Sequence, residues 1–111
     1  MSFKDISNIA GSAMAAQSVR LNTIASNLAN ADTAATSEAQ AYCARKPVFA
    51  ALVEGSEGGA RVQVLDVVQS AEPLRRVYEP GNPLADAEGM VTYSNVNAVE
   101  EMVNMISASR S

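Results

Sequence analysis

Few of the side chains that do chemistry are present, and those that are stand apart. Cys43 is the sole cysteine and there is no histidine, so no internal disulfide can form and the thiol lacks the imidazole that ordinarily activates it. It reads as a bystander. Asp86 and Glu88 follow a stretch rich in Pro and Gly and read as turn carboxylates. No CxxC, HExxH or DxDxDG pattern occurs, and two carboxylates with one backbone group would hold a hard cation weakly. The longest basic runs are the pairs Arg45 with Lys46 and Arg75 with Arg76, in a chain of net charge −4 and pI near 4.6. Two pairs are too few to neutralise nucleic-acid phosphates or a polyanionic membrane. Arg75 and Arg76 read as solvated charges on a strand edge, where they discourage edge-to-edge pairing. The expectation is a protein without catalysis, cofactor, metal, nucleic acid or small-molecule substrate.

The 111 residues suit a single domain, 1–111, and are too few for two ordinary cores. Hydrophobic residues make up 48%, but much of that is alanine, only 5% is aromatic and there is no Trp, so the core is expected to be thin. No apolar run approaches the roughly 20 residues that span a bilayer, and the first residues lack the pattern of a cleavable signal. No membrane insertion is expected.

The elements that must do the work follow from periodicity. Ile6, Ile9, Ala10, Ala13, Met14, Leu21, Ile24, Ala25 and Leu28 recur at three- and four-residue spacing, which predicts a long amphipathic helix within 1–31. Gly11 and the amides Asn22, Asn27 and Asn30 weaken it, so it needs a packing partner. Residues 32–94 are expected to hold a loop and an antiparallel β region. Residues 31–38 form an exposed connection into it, and strands follow at 48–53 after Pro47, at 61–68, at 74–78 and at 90–93, with a turn at Gly55, Gly58 and Gly59. Leu65 breaks the alternation of Val62 and Val64, which suggests a bulge or two-sided burial. Residues 79–84 (EPGNPL) cannot continue a helix or a central strand. Asn97 with Glu100 reads as the start of a second helix, 95–111, whose face is Val99, Met102, Val103 and Ile106. The class is α+β, with the C-terminal helix pairing with the N-terminal one.

Residues 13–33 (AMAAQSVRLNTIASNLANADT) closely resemble the N-terminal signature of the flagellar rod and hook proteins. Residues 78–89 (YEPGNPLADAEG), Asn95-Val96 and residues 100–111 (EEMVNMISASRS) resemble its proximal-rod members. Three motifs in one order carry the likeness. It implies a structural subunit of the basal-body proximal rod, exported without signal cleavage through the flagellar type III apparatus and helping to transmit torque. Other flagellar rod and basal-body proteins, and copies of itself, are the implied partners. Paired terminal helices would form a coiled-coil-like layer, with Ile9, Met14, Leu21, Ile24, Leu28, Met102, Val103 and Ile106 at the contacts and Asn27 and Asn30 fixing register. Family members usually run several helical turns past the position of Ser111. The alternative is a soluble helical adaptor or export-associated protein that docks its helix in a groove and does not polymerise.

Overall fold

The computed structural model describes residues 2–53 and 60–110; the expected glycine turn at Gly55, Gly58 and Gly59 lies outside them. The first helix, α1, runs Phe3–Ala29. Ser2 caps it: the Ser2 hydroxyl accepts from the Asp5 amide at 3.2 Å while the Asp5 carboxylate accepts from the Ser2 amide at 3.1 Å, satisfying two of the donors a helix start leaves open. Asn30 closes the other end, its carboxamide donating to the Ser26 carbonyl at 2.9 Å.

Two separate antiparallel pairs follow, where a single small sheet was one expectation. Strands β1 (Arg45–Val53) and β2 (Ala60–Gln69) form a long ribbon. Strands β3 (Arg75–Tyr78) and β4 (Met90–Tyr93) form a short one. In the long ribbon Val48 faces Asp66 but Phe49 faces Val64, so Leu65 is the extra residue of a bulge, as its break in the alternation suggests. Val62 and Val64 are half-buried while Gln63 and Leu65 are exposed. Strand β1 begins two residues before Pro47 rather than after it, and Pro47 is paired opposite Val67. A proline is tolerated there because the ribbon has two edges and Pro lacks only a donor.

The segment 31–38 is not a wholly exposed connection. Ala35 is buried and bridges Thr92, with Ala35 N to Thr92 O at 2.8 Å and Thr92 N to Ala35 O at 3.0 Å. The short ribbon thereby gains a third, one-residue partner. Gly89, at φ +80°, makes the turn into β4, and an added Cβ there would lie 2.9 Å from Tyr78 Cε1. Only glycine fits that approach without a shift.

The last element, α2 (Ala98–Ser109), starts at Asn97, whose side chain accepts from the Glu100 amide at 3.1 Å. It runs antiparallel to α1: its Ser107 meets Arg20, while its first turn lies beside Thr23 and Ile24. Among the described residues the buried apolar set is Ala16, Ile24, Ala35, Ala44, Val91 and Ala108. Four of the six are alanine, so the core is as thin as the composition implies and the chain is drawn out to 63 × 23 × 16 Å.

Candidate assembly surface

The apolar stripe of α2 faces away from the rest of the chain. Val99, Met102, Val103 and Ile106 are 70%, 55%, 61% and 58% exposed, whereas the buried positions of this helix are Glu101 and Ala108. Hydrophobic periodicity finds the stripe, but the helix packs on α1 through its other side. Burying a Val or Ile side chain is worth about 1.5–3 kcal/mol, so four such residues left in water on one helix face mark a surface shaped for something else.

Helix α1 divides along its length. Ile24 is buried against the fold, and Ile9, Leu21 and Leu28 are half-buried, while Met14 is exposed. Toward the start of the helix Phe3 and Ile6 are also exposed. Met14 and Leu21 line a shallow apolar groove with Ala10, Ala13, Gln17 and Ala108. The Gln17 Oε1 is enclosed and lacks a donor. Of the residues expected at subunit contacts, Met14, Met102, Val103 and Ile106 are therefore open to a partner, and Ile24 faces inward.

The two amides occupy a different place from the register-fixing one expected of them. Asn27 is 1% exposed. Its Nδ2 donates to the Arg45 carbonyl at 2.9 Å and its Oδ1 accepts from the Arg45 amide at 3.0 Å and from the Tyr42 hydroxyl at 2.7 Å. Ser26 Oγ joins the same hydroxyl at 2.9 Å. Asn30 spends its side chain on its own helix end and on Thr33.

Asn95, a residue periodicity does not single out, mirrors Asn27 on the opposite side of the ribbon base. Its Oδ1 accepts from the Ala44 amide and its Nδ2 donates to the Glu72 carbonyl at 2.9 Å. Farther along α1, Ser12 Oγ accepts from the Val62 amide at 3.1 Å and donates to the Ile9 carbonyl at 2.9 Å. The long ribbon is thus fastened to the helical part by side chains that satisfy backbone groups at its edges. The signal that could have found Asn27 was its poor fit to a helix interior, a local conflict that a distant partner resolves.

The charged residues of the short ribbon are structural. Asp86 Oδ1 accepts from the amides of Met90 and Glu88, both at 2.9 Å, and Oδ2 from Arg76 at 3.0 Å. These bonds, the Met90 amide first, hold its carboxyl below the usual range. Glu79 is lowered in the same way by the Asn82 amide and then by the Tyr93 hydroxyl, and that bond to Glu79 raises Tyr93. Arg75 stacks over the Tyr93 ring at 4.8 Å and reaches Asp32 at 3.3 Å. Asp86 and Glu88 are turn carboxylates, as their setting suggests. Among the described residues no three metal-ligating side chains converge, and no helix is long and apolar enough to cross a membrane.

Residues 8–34 match the family described as flagella basal body rod protein, and residues 87–111 match the C-terminal family of the flagellar basal body rod FlgEFG proteins. The chain is 51% identical over 111 residues to the flagellar basal-body rod protein FlgC of Salmonella typhimurium, a match covering 100% of this chain and 83% of that protein. It is 48% identical over 111 residues to the FlgC of Yersinia enterocolitica, with the same coverage. With the FlgC of Agrobacterium fabrum it shares 39% over 106 residues, 95% of this chain and 76% of that one.

Proposed function

The chain belongs to the FlgC family of flagellar basal-body rod proteins, a structural subunit of the flagellar basal body, and from that premise we propose that it enters the rod through the outward face of α2. The observation that carries this reading is the exposure of Val99, Met102, Val103 and Ile106 on a helix whose opposite side is already packed. Exposed Met14, Ile6 and Phe3 extend the apolar surface along α1. Neighbouring rod and basal-body chains, including further copies of this one, are the partners that such a surface fits. Seams of this kind between helices give both contact and register.

On this reading residues 1–111 act as one domain, the role is mechanical, transmitting torque without catalysis, and delivery is by export through the flagellar apparatus. A thin, alanine-rich core supports that route, since a chain with little to unpack opens at small cost. The adaptor alternative would use the same exposed face, and kinship with the rod proteins is what favours the rod over it. The test is Val103→Asp with Ile106→Asp. Because both side chains are exposed, the variant should reach normal cellular abundance yet be absent from purified basal bodies, with motility lost. Normal rods containing the variant chain would defeat the proposal.

A further inference from the structure

The long ribbon carries a segment of a kind that adds readily to copies of itself. Residues 62–68 (VQVLDVV) are apolar but for Gln63 and Asp66, and Leu65, Val67 and Val68 are exposed, as is Val48 on β1. On a strand with an unfilled edge, such a window is a template for another chain.

The register shows where the ribbon's outward backbone groups lie. Asn27 bonds both the amide and the carbonyl of Arg45, so those groups point away from β2, and alternation turns the backbone of Pro47 outward as well. Val67 pairs with Pro47, so its amide faces outward from the other edge. Neither position offers a donor. Pro47 has none, and the Val67 amide donates to Asp66 Oδ1 at 2.7 Å. One level of the ribbon is thereby closed on both edges. Beside it, Asn27 occupies Arg45 on the β1 edge, and the Leu65 bulge breaks the spacing of the β2 edge. Farther along β2, Ser12 Oγ takes the Val62 amide, so no two neighbouring outward amides of that strand are both left open. The outward positions remaining on β1 are Phe49, Ala51 and Val53, and Phe49 lines the cleft beside α1 and α2.

We propose that Pro47 and Asp66 are edge guards, which keep a second copy of this chain from adding a strand to the ribbon. Asp66 acts twice. It takes the Val67 amide, and it sets a charge in an otherwise uncharged run, where an in-register copy would meet it with its own Asp66. The inference stands apart from the α2 contact, since it concerns an association that the fold refuses.

The test uses the purified full chain carrying the α2 double variant, so that association through that helix is removed. It is compared with the same chain carrying Pro47→Val and Asp66→Val as well. Light scattering and thioflavin fluorescence are followed over a concentration series, and a urea midpoint is measured for each. The unguarded chain is expected to form thioflavin-positive oligomers at a concentration lower by about tenfold, the worth of two regained ladder hydrogen bonds. Equal onset concentrations with and without the guards overturn the proposal. If the two changes lower the urea midpoint, Gly89→Ala in the same background, compared at a matched fraction unfolded, is the control. Association by that variant to the same degree overturns the guards, because unfolding would then be the cause; its absence upholds them. Neither result bears on whether α2 enters the rod.

Discussion

Asn27 and Arg45 are joined as neighbouring strands are joined: the carboxamide of Asn27 gives one hydrogen bond to the Arg45 carbonyl, at 2.9 Å, and takes one from its amide, at 3.0 Å. A side chain on a helix thus completes the outer edge of a β-ribbon at its first residue. Asn27→Leu removes three bonds at a site 1% exposed and strands a backbone amide and carbonyl. The expected loss is at least about 2 kcal/mol, read as a lower urea midpoint of the purified chain. Asn27→Asp keeps the acceptor but sets a charge against a carbonyl. Its deficit relative to the natural chain should shrink at acid pH, where a protonated carboxyl can donate.

Asn95→Ala should act on the same ribbon from its other side. Hydrogen exchange is expected to quicken at the Ala44 amide, which would lose its acceptor, and at the neighbouring pair Arg45 and Gln69. The amides in the middle of α1 should be unchanged. Uniform loss of protection along α1 would mean that Asn95 supports the whole chain rather than the ribbon base.

Three glycine-to-alanine changes should separate. At Gly89 the backbone has φ +80° and the new Cβ meets Tyr78 Cε1 at 2.9 Å, which should cost about 1–3 kcal/mol. At Gly81 nothing lies within 4 Å, and the change should fall within about 0.5 kcal/mol of neutral. At Gly11, in the middle of α1 with nothing within 4 Å, alanine should stabilise by about 0.5–1 kcal/mol. Thermal melts of the three variants check the order.

Acid and alkali should weaken the chain through different groups. Asp86, Glu79 and Asp5 all titrate below their ordinary values of 3.8, 4.5 and 3.8 in the folded chain. Their stabilisation is complete above those values and drains away as pH falls through the lower folded ones. Tyr93 is raised above 10.0 by its bond to Glu79, so its contribution is complete below 10.0 and is lost as pH climbs through the higher folded value. All four groups are solvated, and each effect is small. Tyr93→Phe should flatten the alkaline limb of a stability-against-pH curve and leave Asp86 to shape the acid one.

Local rules reached the elements whose causes are local. The Asn97 cap, the limits of β4 and the bulge at Leu65 are all visible in a few neighbouring residues. The start of β1 was misplaced because Asn27, 18 residues earlier, holds Arg45 in the ribbon. Ala35 was read as exposed because its partner, Thr92, is on a distant strand. For the candidate surface, spacing located the stripe from Val99 to Ile106 but could not say which side of α2 the rest of the chain would take. That side went to Glu101 and Ala108. Asn27 stands out as unusual for a helix interior, and the partners that satisfy its side chain, Tyr42 and Arg45, lie 15 and 18 residues further along the chain.

Ser12 and Asn27 are 15 residues apart on α1, about 22 Å along the axis at 1.5 Å per residue, and each grips the same ribbon, at Val62 and at Arg45. A rod lashed to a strip at two separated points behaves as a truss: neither member can bow without stretching or shearing the other. For a slender subunit of the rod, such bracing provides stiffness where girth is lacking.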